Sequence, residues 1–526
     1  MKKNSRNNSY ASGSNKKYKQ HCLGNAIKMQ NGPGQTARSS SHDLNATNSA
    51  VPSQLLMEAV ALHQAGMLDE AKAAYQALLR KNSNDSDALH YLGLIALQKN
   101  HHADAVSLIE AAIRINRGVP AFHCNLGNAY RGLKQFDAAI AAYLEAVRLD
   151  PQFQAAHSNL GNTYKDQGKL DEAAASYRTA LLLKPDFAEA HSNLGTVFYI
   201  QGKHEEAVAS YQKALDLNPL LVTARIGMST ALSRLVPTWH VPMMNDTIRN
   251  NAYYEALKNA VTADSDVFEI GTGSGLLSMM SAKLGARKVT TCEATPIIAA
   301  TAQRVISANG LDKRINVISS RSNDVAVGAG LDDKADILVS EIFSSELLAE
   351  NVLSSIEDAK HRLLKQGARV IPAQGSIMVA LFGGEDIRSN LIVEDSCGFN
   401  LRPFNSIVAK KQFVHRNDLH VNLLTDDVEA FHFDFQNDGF FPSQAKTLRI
   451  PIKSAGRCYG IVQWIRLQMD KDTVFENHPS VKAPASSWQL CTYIFPSPID
   501  VKPGQVALIS SMHNRINPWF SLEGFE

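Results

Sequence analysis

Apolar positions in this chain change their period twice. From about Pro52 to Leu221 they recur every 34 residues. Ala71, Ala105, Ala139, Ala173 and Ala207 keep that step, as do Leu92, Leu126, Leu160 and Leu194, each followed by Gly. Tyr75, Tyr143, Tyr177 and Tyr211 keep it too, with Ile109 in the gap, and so do Pro151, Pro185 and Pro219. Small residues let paired helices approach, and proline ends the second helix of each pair. Five helix-turn-helix units are predicted over 52–221, stacked into a curved solenoid with a concave face, then a capping helix and linker over 222–236. The period then changes. Val267 to Ile270 reads as a buried strand, Gly271-Thr272-Gly273-Ser274-Gly275 follows, and an apolar helix carries Leu276, Leu277, Met279, Met280 and Leu284 up to Gly285. Lys288 to Cys292 is a second strand ending on Glu293, and Ala335 to Ser340 is another. An open α/β domain is therefore expected over 237–374. After Pro372 no helical period persists. Stretches 376–381, 407–414, 430–435, 447–452 and 459–467 are β-like, so an antiparallel β-barrel-like domain is expected over 375–526.

The glycine turn carries the first chemistry. Glycines at a strand end let a ligand approach the backbone, and an acid after the second strand can hold two ribose hydroxyls. A dinucleotide fingerprint, G-x-G-x-x-G, needs glycine at 276, where Leu276 stands. G-x-G-x-G suits S-adenosylmethionine, which has no pyrophosphate to cradle. On the turn alone, a nicotinamide or flavin cofactor and a tight turn without ligand stay open.

Composition narrows the picture further. The 526 residues are 44% hydrophobic and 20% charged, so several domains with sizeable cores are expected. The net charge of +2 makes no case for nucleic acid from the whole chain. Residues 1–50 are rich in Asn, Ser, Gly and Lys, with Asp43 their single acid. A disordered basic tail is expected there, its contact with nucleic acid or use as a nuclear address being the alternative to simple solvation. No apolar run reaches a membrane span. The scattered cysteines have no metal-ligand or disulfide spacing, so no metal is expected and a reducing compartment is, the cytoplasm or else the nucleus.

The pattern L-G-x-x-Y … A-x-x-x-Y … P resembles the tetratricopeptide repeat. Within it Asn125, Asn159 and Asn193 recur at one position, with Asn128 and Asn162 three further on. Amides both donate and accept, so such a ladder can grip an extended peptide on the concave face. It resembles the asparagine ladders of repeat-containing protein glycosyltransferases. The alternative is that these amides solvate the groove or bridge neighbouring units.

Three further motifs sit in the α/β part: H-x-x-M-x-x-D-x-x-R from His240 to Arg249, E-I-G-T-G-S-G, and S-E-x8-E with Glu341 and Glu350 nine apart. Together they resemble the protein arginine methyltransferases, over residues 237–526. Trp239-His240-Val-Pro-Met243 and Cys397-Gly398-Phe399-Asn400 point to the members with tandem modules, one of which also bears tetratricopeptide repeats. The resemblance implies transfer of a methyl group from S-adenosylmethionine to a guanidinium, with mono- or symmetric dimethylarginine as product. Glu341 and Glu350 would hold the substrate arginine. His240, Met243, Arg249, Gly271, Gly273, Gly275, Glu293, Ser322, Asn323 and Asp324 would bind the cofactor, Arg249 at its carboxylate and Glu293 at its ribose. His513 would pair with Asp246 and take the product proton, and Glu346 would be a bystander. It also implies a homodimer and a protein substrate recruited by the repeats. Three departures are visible. No Y-F-x-x-Y helix precedes His240, Ser511-Met512-His513-Asn514 replaces Thr-His-Trp, and Glu269 stands where the family usually has Asp. They leave open a catalytically silent scaffold, or a methyltransferase for another acceptor.

Overall fold

The computed structural model describes residues 54–384, 391–393, 395–397, 399–415, 421–481 and 488–526. The expected basic tail, Cys22 and Gly398 lie outside the described residues. Two compact units divide at Leu232/Ser233.

The first unit is helical. Its helices are α1 (Gln54–Gln64), α2 (Leu68–Lys81), α3 (Ser86–Gln98), α4 (His102–Ile115), α5 (Pro120–Gly132), α6 (Phe136–Leu149), α7 (Gln154–Asp166), α8 (Leu170–Leu183), α9 (Ala188–Ile200) and α10 (His204–Leu217). They pack as consecutive hairpins, and α11 (Val222–Leu235) follows the last. The 34-residue alanines are all fully buried, and so are Tyr75, Tyr143 and Tyr177. Three of the hairpins close tightly because a glycine faces a tyrosine ring, and in a fourth Gly93 faces Ile109. A Cβ on Gly127 would lie 2.6 Å from the Tyr143 ring, and one on Gly161 would lie 2.8 Å from Tyr177.

The asparagines mostly answer one another. Asn125 is buried, its Nδ2 3.0 Å from His90 Nε2, and its Oδ1 accepts from Asn128 at 3.2 Å. Asn159 Nδ2 donates to Asn128 Oδ1 at 3.1 Å, and Asn193 Nδ2 donates to Asn162 Oδ1 at 3.2 Å. Tyr143 and Tyr177 hydroxyls donate to the same two acceptors, each at 2.7 Å. The row therefore bridges successive units, as the alternative had it. The bridging has a simple cause: buried amides must be satisfied, and each unit supplies its neighbour.

The second unit opens with α12 (His240–Asn245) and α13 (Thr247–Ala260). Strands β1 (Asp266–Ile270), β2 (Lys288–Cys292), β3 (Ile315–Ile318), β4 (Ala335–Ser340) and β5 (Leu364–Ile371) form a parallel sheet in the order β3-β2-β1-β4-β5. Strand order reverses at β1/β4, the place where open α/β sheets bind ligands. Helices α14 (Leu276–Lys283), α15 (Pro296–Ala308) and α16 (Val352–Arg362) accompany the sheet.

Antiparallel strands complete the unit. The larger sheet includes β6 (Gln374–Gly383), β7 (Lys411–Val414), β8 (Val428–Phe433), β10 (Gly456–Gln468) and β11 (Leu490–Val501). The smaller one joins β9 (Gln444–Pro451), β12 (Val506–His513) and β13 (Pro518–Phe525). One apolar core runs from Phe268 and Leu338 through Phe433 to Phe520. Stretch 407–414 is strand only from Lys411, because Arg402–Ile407 is a 3-10 turn. Among the described residues no helix is long and apolar enough to cross a membrane.

Gly161→Val should cost the solenoid about 3 kcal/mol, since the Tyr177 ring has nowhere to move. Chemical denaturation followed by circular dichroism measures the loss.

Candidate active site

The glycine turn is built by backbone geometry. Gly271, Gly273 and Gly275 all have positive φ, at 86°, 50° and 82°. A Cβ on Gly271 would also collide with Ile342, 2.8 Å away. Gly271 N–H and Thr272 N–H both donate to the Cys292 carbonyl, at 3.1 and 3.2 Å, so the turn is stitched to the end of β2. Glu293, one residue on, accepts from Gly273 N–H at 3.2 Å and from Thr295 N–H at 3.0 Å. A Cβ on Gly273 would meet only Met243 Cε, at 3.9 Å.

A cavity of about 400 Å³ opens over this turn. It brings together His240, Met243, Gly271, Gly273, Glu293, Ser322, Asn323, Glu341 and Glu350. Its size lies in the range of small-molecule sites. Acid at one strand end, bare glycine backbone and a polar turn at Ser322–Asn323 fit a nucleoside with a charged tail. Arg362 on α16 holds that polar turn, donating to the Ser322, Asn323 and Val325 carbonyls at 3.3, 3.2 and 2.7 Å.

The remaining expected residues lie elsewhere. Gly275 packs against Ile306 of α15 and shapes the turn from behind. Asp324 is exposed and outside the cavity lining. Asp246 caps α13, its Oδ1 accepting from Arg249 N–H at 3.1 Å. Arg249 is buried beneath the cavity. Its Nη2 lies 3.0 Å from Glu341 Oε1, its Nη1 donates to Asn250 Oδ1 at 2.7 Å, and its guanidinium sits 5.2 Å from the Tyr253 ring centre. So it meets the substrate-side acid directly.

His513 requires a correction. It ends β12 inside an aromatic cluster, 4.6 Å from Phe431 and 5.3 Å from Phe433 between ring centres. Its Nδ1 accepts from Arg515 N–H at 3.2 Å. Among the described residues neither its Nε2 nor Asp246 Oδ2 has a hydrogen-bond partner, so the two are not paired here. Burial first, then the charges of Arg515 and Lys446, lower its pKa to about 4. An imidazole held neutral that far down is a weak proton acceptor at pH 7.

The acids behave oppositely. Burial raises Glu341 to about 7 against the pull of Arg249, with Glu350 and Asp246 adding to the rise. Glu350 is exposed as a residue, yet partial desolvation and then the Glu293 charge raise its pKa too. Glu269, buried behind the turn with Ser278 donating to it, is raised by burial to about 8.

The double-glutamate loop is strained. Leu347, Glu350 and Asn351 have φ of 74°, 64° and 61°. Left-handed backbone at non-glycine residues costs on the order of 1–3 kcal/mol each and gathers at functional sites. Glu346, expected to be a bystander, is buried and ion-paired with Lys411 of β7. Spacing along the chain could not reveal a partner 65 residues away.

Trp239 also lines the cavity, stacked on His240 at 4.2 Å between ring centres. Leu235, Pro237, Arg321, Asn351 and Ser355 line it without having been singled out from sequence. The first three flank recognised motifs, and motif proximity was the available signal.

Comparison with known proteins is consistent with this architecture. Residues 56–120, 127–168, 161–202 and 188–219 match families described as tetratricopeptide repeats, and 252–375 matches the family described as ribosomal protein L11 methyltransferase. An arginine N(omega)-methyltransferase of Streptomyces achromogenes subsp. streptozoticus is 31% identical over 273 residues, 52% of this chain and 75% of that protein. The chain belongs to the arginine N-methyltransferase family.

Protein arginine N-methyltransferase 1.6 of Arabidopsis thaliana is 29% identical over 321 residues, 55% of this chain. This arginine methyltransferase spans only 44% of that relative's length. A solved Trypanosoma brucei arginine methyltransferase complex with AdoHcy aligns over 55% of this chain and 98% of its own, with 18% identity and a TM-score of 0.46. A tetratricopeptide array thus precedes a unit of the arginine N-methyltransferase family in this chain.

The raised acids carry a stability signature. Glu269 binds its proton more tightly folded than unfolded, so its contribution is fully present below about 4.5 and is lost as pH rises through about 8. Glu341 acts with the same sign, its contribution lost as pH rises from about 4.5 through about 7. The methyltransferase unit should therefore melt at a lower temperature at pH 9 than at pH 6, and Glu269→Gln should shrink that difference. Calorimetry at the two pH values measures it.

Proposed function

We propose that this enzyme methylates arginine within a protein that the repeats recruit, giving mono- or symmetric dimethylarginine. One observation carries the reading: Glu341 and Glu350 line the same cavity as the glycine turn. A guanidinium is planar, stays protonated at working pH and presents a fork of donors. Two carboxylates match that fork through paired charge-assisted hydrogen bonds. A neutral or anionic acceptor would gain nothing from them.

S-adenosylmethionine, when bound, supplies a methyl group on a sulfonium. The chain's own residues align the acceptor. Glu293, Gly273 and the Ser322–Asn323 turn would hold the nucleoside, and Met243 and His240 would close over it. Arg249 pulls Glu341 toward its charged form and aims it, and it offers the fixed cation next to which a carboxylate tail fits. The new N–C bond would form as the methyl–sulfur bond breaks, its electron pair staying on the departing thioether sulfur, and the attacking nitrogen must lose a proton. With His513 packed among Phe431 and Phe433, Glu350 would take it, being the more exposed of the two acids and not the one paired with Arg249. Orientation and charge complementarity then make up the site's contribution, each worth several kcal/mol by general estimates.

Recruitment by the repeats is supported by the array itself, since stacked repeats form extended partner surfaces. Asn159 and Asn193 remain partly exposed while bridging units. A silent scaffold is the second reading, favoured by the position of His513 and by Glu269 at the family's Asp position.

Glu341→Gln and Glu350→Gln should each lower methyl transfer by at least about a hundredfold while S-adenosylhomocysteine still binds in calorimetry. In the wild type, kcat/KM should rise with pH through about 7, where Glu341 ionises, and level off above. Mass spectrometry of proteins incubated with labelled cofactor reads both turnover and product. No turnover by the wild type would favour the scaffold, and asymmetric dimethylarginine would sink the product assignment. Replacing Asn159 and Asn193 with Ala should weaken methylation of a recruited protein yet spare a short arginine peptide. Equal loss on both substrates would contradict recruitment.

A further inference from the structure

We propose that Glu346 and Lys411 form a buried latch, completed by Gln463 and Tyr493, through which the antiparallel sheet sets the backbone of the double-glutamate loop. The inference rests on the reading that Glu341 and Glu350 hold the substrate guanidinium. In it, Glu346 and Lys411 are positioning residues for Glu350.

Strain is the starting point. Left-handed backbone recurs at Leu347, Glu350 and Asn351, none of them glycine. Such a loop persists only where its surroundings over-determine it. Packing supplies part of this, because Leu347 and Leu348 are fully buried. Polar contacts supply the direction. Immediately before Leu347, the Glu346 carboxylate meets the Lys411 ammonium, their side chains only 11% and 16% exposed. The Glu346 carbonyl accepts from Gln463 Nε2 of β10 at 3.3 Å. Tyr493 of β11 donates its hydroxyl to Gln463 Oε1 at 2.8 Å, and Lys411 Nζ lies 5.5 Å from the Tyr493 ring centre. Lys411 Nζ also donates to the Pro518 carbonyl at 3.2 Å, which fixes it from the far side. Gln489 N–H donates to Ser345 Oγ at 2.9 Å.

Groups from two strands and from Gln489, the residue before a third, thus converge on residues 345 and 346. The carboxylate, the carbonyl and the neighbouring hydroxyl are each held from the antiparallel sheet. Among the described residues no comparable contact grips Glu350 itself, whose direction follows from where Glu346 and Leu347 are pinned. A buried ion pair is weak evidence for stability, since apolar groups of similar volume often serve as well. What the pair offers here is geometry: a fixed distance between the catalytic loop and the sheet beside it.

The full chain carrying Glu346→Leu with Lys411→Met tests this. The double variant should melt near the wild-type temperature and bind S-adenosylhomocysteine with unchanged affinity. Its kcat on a short single-arginine peptide should fall by at least about tenfold, the order of loss that misplacement brings. Deuterium uptake across residues 345–351 should rise, and Lys411→Arg should retain most of the activity. A folded double variant with wild-type kcat and wild-type exchange overturns the latch. Should that variant fail to fold, Glu346→Gln decides by the same two readouts. Glu350→Gln measured in parallel separates the readings. Turnover kept by Glu350→Gln removes the guanidinium clamp, whereas turnover lost there and kept in the latch variants removes the latch alone.

Discussion

A carboxylate taken out of water must be met by a cation or stay protonated, and Glu341 sits where both outcomes are close. Its side chain is buried, Arg249 lies 3.0 Å away, and its pKa is near 7. Removing one partner of such a pair costs roughly 3–5 kcal/mol, because the other is left charged and desolvated. Much of the surrounding structure follows from keeping them matched. Asp246 starts α13 so that Arg249 falls in its first turn. Tyr253, one turn on, lies under the guanidinium and donates its hydroxyl to the Ser340 carbonyl at 2.8 Å, which ties α13 to the end of β4. The acid and its counter-ion therefore reach the β1/β4 edge from separate elements. Both are fixed before any substrate arrives.

The same edge explains the glycines. Gly271 must lack a side chain because Ile342, next to Glu341, packs against its Cα. The cofactor turn and the double-glutamate loop thus share a van der Waals contact as well as a cavity. A change in one is felt by the other. Glu269 deepens that coupling, since its carboxyl lies behind the turn and within electrostatic reach of Arg249 and Glu341. A longer acid than the family's usual Asp, held by Ser278, puts a neutral carboxyl at pH 7 where a charge would compete for Arg249.

Elements with a strong local signal were legible in the sequence. The 34-residue step specified every helical hairpin because one supersecondary unit repeats, and each copy restates its packing rule. Val267–Ile270 and the glycine turn were equally plain, since buried strands and positive φ leave few residue choices. The strands Leu490–Val501 and Pro518–Phe525 were not, because Pro496, Pro498 and Pro518 punctuate them as turns usually are. The residues whose surroundings differ from expectation share one cause. His513 was assigned a partner by motif position, but its surroundings come from Phe431 and Phe433 on another strand. Asp324 was assigned by adjacency to Ser322, and the 3-10 turn faces it away from the cavity lining. Asn125 was assigned by periodicity, which identifies a face but not whether a neighbouring unit already occupies it.

That last point bears on how an array of this kind recognises anything. An amide donates twice and accepts twice, so one used on each side by a neighbour still has capacity left. Asn128 Oδ1 accepts from both Tyr143 and Asn159, and Asn162 Oδ1 accepts from both Tyr177 and Asn193. The bridging therefore consumes the carbonyl side of one set and one proton of the other. It leaves the Asn159 and Asn193 carbonyls without a partner among these bridges. The bridges fix the amide rotamers on both sides, so the asparagine row is a seam between units as well as a periodic face.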